Sequence, residues 1–312
     1  MGVDTVLVAF DSESIIEEAI RTLEPLAGQV VVVDHGDGAS ARKAHDSGAL
    51  ALTDPTNPGF GSGQNRGVGL TNSEFVLLCN PDALVSPDAV RLGAKLLEDR
   101  PEVAAVQGVI VNTRTGLPER SQGVEIRPVH LLGRAVGARR LLDSSALRAL
   151  ARRSRALVDH VDRVPSSFCE VESLAATAVL VRRTAFVEVG GFDPSYFLYG
   201  EDLDLCRRLR LAGWKLLAAP EVWANHLGGA SMPSSWDQEI HWWRGTLAFA
   251  ARWWGRSEWS LAIIAATIRF ARLAVRHPGR LRKAVTALLI EPIKDRRMAC
   301  LGVSPAALSV TS

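Results

Sequence analysis

Short apolar runs, each followed by a helix-like stretch, recur along the first hundred residues. Thr5–Phe10 is apolar throughout, and Asp11-Ser12 and the amphipathic segment SIIEEAIRTL follow it, which predicts a buried strand and a capped helix. The same pattern predicts strands at Gln29–Asp34, Leu50–Thr53, Glu74–Cys79 and Val103–Val111, and helices at Ala39–Ser47, Gly63–Leu70 and Pro87–Asp99. Strands that alternate with helices predict an α/β fold, with a mainly parallel sheet flanked by helices on both faces.

The regular pattern lapses after Val111. Arg134–Arg155 carries seven Arg and a single acid, Asp143, and is predicted to be partly helical. Strands are predicted again at Ser173–Val181, Lys215–Ala218 and Glu221–His226, and the chain from Trp236 onward is predicted to be helical. We therefore expect one domain over residues 1–232, with an Arg-rich variable segment at 113–170 facing an acceptor, and a C-terminal helical appendage over 233–312.

Polar side chains stand at or just after the predicted strand ends. They are Asp11, Asp34, Asn57 and the triplet Asn80-Pro81-Asp82. Ligands of open α/β sheets bind beyond the carboxyl ends of the strands. These side chains are therefore candidates for a binding site.

A glycine-rich loop, NPGFGSGQNRG, spans Asn57–Gly67 and runs into a predicted helix. Backbone amides in such a loop can approach a diphosphate or a ribose closely. A nicotinamide-binding fold would instead carry GxGxxG after the first strand, where this chain has FDSES, and the chain lacks the GK[ST] of an NTPase loop. Taken alone, the glycine-rich loop is equally consistent with a tight turn that binds nothing.

Asp82 and His226 are candidate metal ligands. One carboxylate beside an amide is a thin ligand set for a hard cation, so a diphosphate, water and one more side chain would have to complete it. Neutral imidazole is a good ligand for manganese-like ions. Each residue also has a plain structural interpretation, since Asn-Pro-Asp is often a turn and a lone histidine is often a structural residue.

The segment Gly190–Arg208, GGFDPSYFLYGEDLDLCRR, is the richest in chemistry, and we call it the acidic segment. It delivers Glu201, Asp202 and Asp204 to a predicted helix start, where carboxylates are stabilised by unpaired amides. Adjacent helical side chains point about 100° apart, so one acid can cap the helix while the next faces a cleft. We expect Asp202 to face the cleft and act as a catalytic base.

Composition is that of an ordinary globular protein, with 47% hydrophobic and 22% charged residues, which excludes disordered and fibrous classes.

The net charge of +2 conceals a basic tail, because His241–Cys300 has twelve Arg or Lys against three acids. Six of the eight Trp fall between Trp236 and Trp259, interleaved with Arg. They suit either a membrane interface or the packing of a C-terminal helical hairpin onto the domain. Nucleic acid is a weaker alternative, since no nucleic-acid-binding motif accompanies the pattern.

Four widely spaced Cys form no CxxC pair, so the sequence indicates neither a zinc knuckle nor a redox pair, and the Cys suit a reducing compartment. Met1 leads directly into TVLVAF without the pattern of a signal peptide. The apolar run Leu261–Ile268 is too short to span a bilayer. We expect a cytoplasmic protein.

These motifs, in this order, resemble the inverting glycosyltransferase family 2. The matching stretches cover roughly Thr5–Ser231 and are VLVAFDSESIIEEAIRTL, VVVVD, NPGFGSGQNRG, LLCNPDALVSPDA, VLVRRTAFVEVGGFDPSYFLYGEDLDLCRRLRLAGW and NHLGGAS. Within the family, the chain is most similar to the bacterial rhamnosyltransferase-like branch. The resemblance implies a GT-A fold, which is Rossmann-like.

The resemblance also implies roles for individual residues. Those that would bind the nucleotide sugar are Phe10, Asp11, Asp34, Asn57, Gly61, Asn65 and Asn80. Asp82 and His226 would hold a divalent cation, Mg²⁺ or Mn²⁺, and Asp202 would be the general base. Glu201, Tyr199 and Trp214 would place the acceptor or hold the loop.

The expected reaction is transfer of a sugar, L-rhamnose in this branch, from a donor such as dTDP-rhamnose or a UDP-sugar. The expected acceptor is a hydroxyl of a cell-envelope glycan or a polyprenyl-diphosphate-linked glycan at the inner face of the cell membrane, with peripheral membrane contact and no nucleic acid. Two alternatives stay open. A nucleotidyltransferase would carry a basic glycine-rich loop after the first strand, and a non-catalytic sugar-nucleotide-binding protein would have lost the base.

Overall fold

The computed structural model describes residues 2–137, 164–228 and 235–274. The chain divides into two compact units, which we call the sheet unit and the helical unit. Among the described residues, the sheet unit comprises 2–124, 164–197 and 202–228, and the helical unit comprises 125–137, 198–201 and 235–274. Most of the predicted Arg-rich helical stretch, from residue 138 onward, lies outside the described residues.

One large sheet forms the centre of the sheet unit. Its strands are β1 (Val3–Ala9), β2 (Ala27–Asp34), β3 (Leu50–Thr53), β4 (Phe75–Cys79), β5 (Ala83–Val85), β6 (Val103–Asn112), β7 (Leu117–Pro118), β9 (Cys169–Glu170), β11 (Ala178–Arg182) and β12 (Lys215–His226). The main path runs β3-β2-β1-β4-β11-β6-β12-β5, with β7 on β6 and β9 on β12. Two further strands, β8 (Gln122–Gly123) and β10 (Ser173–Leu174), pair separately.

Six strands of this sheet run in the same direction. β1 is parallel to β2 and β4, β2 is parallel to β3, and β6 is parallel to β12. β11 is antiparallel to both β4 and β6, so β6 and β12 run the same way as β1 to β4. The carboxyl ends of these strands therefore meet at one edge of the sheet.

Helices cover both faces of the sheet. They are α1 (Ile16–Leu23), α2 (Ala39–Asp46), α3 (Phe60–Val68), α4 (Pro87–Asp99), α6 (Arg183–Glu188) and α7 (Glu201–Leu211), and a short 3₁₀ turn (Glu24–Leu26) follows α1. The helical unit contains α5 (Pro128–Val136), α8 (Ser235–Trp253) and α9 (Arg256–Ala274).

Alternating residues of the strands divide the core into two layers. Val32 and Leu77 join a cluster with α1, α2 and α4, whereas Val31 and Leu78 join one with α3, α6 and α7. Because neighbouring strand residues point to opposite faces, a continuous apolar run is what a strand buried on both faces requires. The predicted α/β class with a mainly parallel sheet is thus confirmed.

Several element bounds differ from the expected ones. α3 begins at Phe60 rather than Gly63, because Gly59 adopts a φ of 104° and the helix starts directly after it. Ser173–Val181 forms two strands rather than one, and Lys215–His226 forms one strand rather than two, with irregular register between Ala218 and Val222. The strand β5 was not expected, and it becomes important at the candidate site.

In the helical unit, Glu239 of α8 joins three helices. Its carboxylate accepts hydrogen bonds from Arg134 of α5 at 2.6 Å and from Arg269 of α9 at 2.8 Å, and also from the Trp243 indole. Trp236, Trp243 and Trp254 are buried. Their rings contact Phe270 and Phe249 of the same unit, so these three Trp pack within the helical unit.

Within residues 2–137, 164–228 and 235–274, no helix is long and apolar enough to cross a membrane.

Gly108 of β6 tests the packing of the sheet. An added Cβ would lie 1.7 Å from Cδ1 of the buried Trp223, so Gly108→Ala forces the indole or the strand to move. We predict a loss of about 3 kcal/mol or more in the free energy of unfolding, measured by urea denaturation. Gly133→Ala in α5 is the matched control, since its Cβ would meet nothing within 4 Å. Equal stability of Gly108→Ala and the control would contradict this packing.

Candidate active site

The carboxyl edge of the sheet brings together the polar residues expected there. Ala9, Asp34, Thr53, Cys79, Asn112 and His226 end the six parallel strands. Asp11, Asn57 and Asn80 to Asp82 follow three of these strands in the chain. An edge with this many acids and amides is suited to holding a polar ligand through a cation and hydrogen bonds.

Strand pairing places Asp82 beside His226. Ala83, the first residue of β5, pairs with His226, the last residue of β12, and the Leu227 amide donates to the Asp82 carbonyl at 2.9 Å. Asp82 Oδ1 and His226 Nε2 are consequently 3.3 Å apart. Both side chains are largely buried. The structure thus brings together the two residues expected to bind a metal.

His226 lies between two carboxylates, because its Nδ1 is also 2.9 Å from Glu119 Oε2. Burial alone would lower the pKa of His226, but hydrogen bonds and charge attraction from Asp82 and Glu119 outweigh it and raise the pKa to about 9. Burial opposes ionisation of Glu119, yet the hydrogen bonds from His226 and Asn112 hold the pKa of Glu119 below its usual value. The imidazole is therefore held firmly in a negative environment.

This environment fits a divalent cation. Two ligand atoms about 2.1 Å from one cation and at right angles lie about 3 Å apart, close to the separation of Asp82 Oδ1 and His226 Nε2. A cation bound there would replace the proton on Nε2 while Glu119 keeps its contact with Nδ1. Among the described residues, no group of three or more His, Cys, Asp and Glu is arranged to hold a metal. The two residues would thus depend on a ligand or water for further coordination.

On the β1–β2 side of the edge, Asp11 and Asp34 converge. The buried Asp34 carboxylate accepts hydrogen bonds from the Gly36 amide at 2.8 Å and the Ala41 amide at 2.9 Å. A Cβ on Gly36 would lie 3.1 Å from Asp34 Oδ1 and 3.4 Å from Asp11 Oδ1. Phe10 is 42% exposed immediately before Asp11. Gly36 thus lies close to both carboxylates, and one of these, Asp11, directly follows the exposed Phe10 in the chain.

The glycine-rich loop packs directly against the acidic segment. Gly59 lies so close to Phe197 that an added Cβ would be 2.4 Å from the Phe197 carbonyl oxygen, and the Phe60 amide donates to that oxygen at 2.9 Å. Asn57 adopts a left-handed φ of 44°, and Gly61 is buried in the first turn of α3. Glycine at position 59 is therefore required by both its positive φ and this close approach.

Asn65 clamps α3 to the acidic segment. Its Nδ2 donates to the Phe192 carbonyl at 2.7 Å, and its Oδ1 accepts from the Phe192 amide at 2.8 Å. An added Cβ on Gly191 would lie 2.5 Å from Asn65 Oδ1. The expected nucleotide-binding residue Asn65 thus uses its amide to hold the backbone at Phe192.

Asp202 and Asn80 both lie beside residues 174–177, at the connection between β10 and β11. The Asn80 amide donates to the Thr177 carbonyl at 2.9 Å, while Leu174 and Ala176 line a small apolar cavity that also includes Asp202. Asp202 is partly buried in the first turn of α7, and its Oδ1 accepts from the Leu203 amide at 2.8 Å. A helix N-terminus favours the charged carboxylate, the form that can accept a proton.

The other acids of α7 are buried. Glu201, the first residue of the helix, is 4% exposed, and Asp204 is fully buried with its Oδ2 accepting from Arg208 Nε at 2.7 Å. Arg208 also donates to the Val189 carbonyl, so Asp204 helps to fix the start of the acidic segment.

Two expected acceptor residues have the following contacts. The Tyr199 hydroxyl accepts from Gln238 of α8 at 3.3 Å, within the helical unit. Trp214 lies three residues beyond the end of α7, and that end is about 14 Å along the helix from Asp202. The Trp214 indole donates to Glu188 at 3.0 Å, and Lys215, the next residue, begins β12. The structure does not bring Trp214 to the carboxyl edge of the sheet.

Sequence reasoning missed Glu119 and Asn112. Asn112 ends β6 and donates to Glu119 Oε1 at 2.8 Å, and Glu119 in turn contacts His226. Glu119 follows the two-residue strand β7, which carries no hydrophobic periodicity that would place it. In the sequence, the only feature that could have indicated a role at the site was the position of Asn112 at the end of a strand.

Solved structures share this arrangement of sheet and helices. Glucosyl-3-phosphoglycerate synthase from Mycobacterium tuberculosis matches with a TM-score of 0.52 at 17% identity in its complex with phosphoglyceric acid, over 80% of this chain and 79% of that one. Its complex with Mn²⁺ and UDP-glucose matches with a TM-score of 0.50 at 18% identity, over 80% of this chain and 77% of that one. GalNAc-T7 with UDP, GalNAc and Mn²⁺ matches with a TM-score of 0.54 at 12% identity, over 82% of this chain and 48% of that one. The fold is the GT-A fold of glycosyltransferases.

The sequence is similar to a defined family. The profile described as "Glycosyltransferase like family 2" matches residues 29–245, more than half of the chain, so the chain belongs to that family. Rhamnosyltransferase WbbL of Escherichia coli K12 is 40% identical over 83 residues, 26% of this chain and 31% of that protein. N-acetylglucosaminyl-diphospho-decaprenol L-rhamnosyltransferase of M. tuberculosis is 36% identical over 108 residues, 29% of this chain and 35% of that protein. The chain thus spans about a third of the length of these relatives.

The Asn65 clamp is testable without knowing the substrate. We predict that Asn65→Ala lowers the free energy of unfolding by about 1–3 kcal/mol, since two hydrogen bonds to Phe192 are lost, and that amide hydrogen exchange at Phe192 becomes faster. Asn72→Ala is the matched control, because the Asn72 side chain is exposed. Its backbone amide donates to Asp4, and the substitution keeps that hydrogen bond. Unchanged exchange at Phe192 in Asn65→Ala would refute the clamp.

Proposed function

We propose that this protein is a divalent-cation-dependent inverting glycosyltransferase. It moves a sugar from a nucleoside-diphosphate sugar to a hydroxyl group of a cell-envelope glycan or a lipid-linked acceptor. The observation that carries the proposal is the Asp82–His226 pair, 3.3 Å apart at the carboxyl edge of a GT-A sheet. Asp202 supplies the base that such a reaction requires.

The donor binds along the carboxyl edge. Asp11 and Asp34 take the ribose and base beside the exposed ring of Phe10, and Asn57, Gly61 and Asn80 line the path of the sugar and diphosphate. Asp82 and His226 hold the cation. When bound, Mg²⁺ or Mn²⁺ stabilises the negative charge that develops on the departing diphosphate.

Asp202 acts on the acceptor. Its carboxylate accepts the proton of the acceptor hydroxyl as that oxygen forms a bond to the anomeric carbon. The bond from this carbon to the diphosphate oxygen breaks at the same time, and its electron pair leaves with the nucleoside diphosphate. Because attack comes from the face opposite the leaving group, a single carboxylate suffices and the anomeric configuration inverts.

The names of the relatives support a proposal for the sugar and the acceptor class. Both relatives are named rhamnosyltransferases, and the M. tuberculosis protein is named for a diphospho-decaprenol-linked acceptor. We propose L-rhamnose as the sugar, carried by dTDP or another nucleoside diphosphate, and a polyprenyl-diphosphate-linked glycan as the acceptor. We place the reaction at the inner face of the cell membrane, where a lipid-linked acceptor would meet a water-soluble nucleotide sugar.

Asp202→Asn tests the chemistry. Asparagine preserves the shape but does not accept the proton, so we predict that kcat falls by about 10²–10⁴ while the donor and Mn²⁺ bind as in the wild type. Transfer is measured from a panel of nucleotide sugars, including dTDP-rhamnose, with a polyprenyl-diphosphate-linked acceptor. Asp88→Asn, on the exposed face of α4, is the charge-matched control. Wild-type turnover by Asp202→Asn would reject Asp202 as the base.

We place the membrane contact on α9. Leu261 and Ile264 are 40% and 49% exposed and lie about one helical turn apart, on a different face of the helix from the buried Ala262 and Ala266. The surrounding His241–Cys300 stretch is strongly basic, with twelve Arg or Lys against three acids, which complements anionic lipid.

Vesicle binding tests this assignment. We predict that the double variant Leu261→Gln, Ile264→Gln cosediments with anionic phospholipid vesicles several-fold less than the wild type, because apolar area is removed from the interface. Leu92→Gln in α4, a residue that is 45% exposed, is the control in the sheet unit. Equal cosedimentation of all three proteins would remove α9 from the membrane contact.

A further inference from the structure

Glu119 is a polar residue that the proposed reaction does not use directly. We infer that Glu119 is the positioning residue of His226, and that its carboxylate fixes the imidazole so that Nε2 faces the cation. The inference rests on the proposed function, since it presumes that Asp82 and His226 hold that cation. It concerns how tightly the cation is bound.

The geometry places the two carboxylates on opposite ring nitrogens. Glu119 Oε2 lies 2.9 Å and Oε1 3.0 Å from Nδ1, whereas Asp82 Oδ1 lies 3.3 Å from Nε2. Nδ1 and Nε2 point away from each other across the ring. Glu119 therefore does not compete with Asp82 for the ligand position, and its contact is with the back of the imidazole.

Glu119 is itself held in place. Its backbone amide donates to the Ile110 carbonyl at 2.7 Å, and its Oε1 accepts from Asn112 Nδ2 at 2.8 Å. Asn112 is fixed in turn, because its Oδ1 accepts from the Arg114 and Thr115 amides of the turn between β6 and β7. A continuous set of hydrogen bonds thus runs from this turn through Asn112 and Glu119 to His226.

The backbone of His226 is held by the same strand. His226 pairs with Asn112 of β6, and the Thr113 amide donates to the His226 carbonyl at 3.0 Å. With the backbone fixed on β6, the remaining freedom of the imidazole is rotation of its side chain. Glu119 restricts that rotation and accepts a hydrogen bond from Nδ1–H, so that Nε2 is the ring nitrogen that faces Asp82 and the cation position.

A carboxylate in this position has a measurable consequence. Removing such an outer partner of a metal-bound histidine costs about 10–100-fold in metal affinity. A role confined to folding would instead lower stability and leave the affinity of the folded protein for the metal unchanged. The dissociation constant for Mn²⁺ alone, measured on the full chain by electron paramagnetic resonance of the free ion, separates the two.

Three variants of Glu119 sharpen the measurement. Glu119→Leu removes the acceptor with little loss of side-chain volume, and Glu119→Ala removes both the acceptor and the volume. Both are expected to weaken Mn²⁺ binding by about 10–100-fold. Glu119→Gln keeps an oxygen that can accept from Nδ1 and is expected to lose less affinity than the other two. Glu18→Gln, on an exposed acid of α1, controls for the change in net charge. Thermal unfolding of each variant confirms that the folded protein is being measured.

His226→Ala distinguishes failure of this inference from failure of the proposed function. If His226→Ala weakens Mn²⁺ binding but the Glu119 variants bind Mn²⁺ as the wild type does, the positioning role is overturned and the metal site stands. Equal losses in Glu119→Gln and Glu119→Leu would also overturn it, since the retained acceptor would then have no effect. If His226→Ala itself binds Mn²⁺ normally, the proposed metal site fails.

Discussion

The register of β12 between β5 and β6 is the constraint on which the candidate site depends. Ladder pairing sets His226 opposite Ala83 on one side and opposite Asn112 on the other. The first pairing brings Asp82 to His226, and the second brings Asn112 and its partner Glu119 to the other side of the imidazole. A slip of one residue would turn His226 to the opposite face of the sheet and separate it from both carboxylates.

A second constraint ties the glycine-rich loop to the segment that leads to Asp202, the proposed base. Asn65 holds Phe192 and Phe60 holds Phe197, so the glycine-rich loop and the first part of the acidic segment are bonded together at two points. Asp202 follows a few residues later in the chain, in the first turn of α7. In a transferase, the acceptor oxygen and the anomeric carbon must be aligned closely, and this double attachment limits their relative displacement. The glycines at 59 and 191 are the residues that allow so close an approach.

Local pattern predicted most of the sheet, because strand ends and helix starts are local signals. The partnership of Asp82 with His226 was implied only by the resemblance to the family, since either residue alone is also consistent with a structural role. The contacts made through long-range pairing were not predictable in this way. β7 is two residues long, so Glu119 had no periodicity to mark it, and Asn65 looks like any polar residue of a glycine-rich loop until Phe192 is seen against it. The Trp residues were ambiguous for a similar reason, since the same spacing serves a membrane surface or a core. Burial of Trp236, Trp243 and Trp254 depends on α5 and α9 packing against α8.

We propose that a divalent cation bound by Asp82 and His226 organises the donor. Anomalous diffraction from crystals grown with Mn²⁺ and a nucleoside diphosphate tests this proposal. We predict a single strong manganese peak within coordination distance of Asp82 Oδ1 and His226 Nε2 and of the diphosphate oxygens. A nucleotide bound at the carboxyl edge of the sheet with no manganese at these two atoms would contradict it.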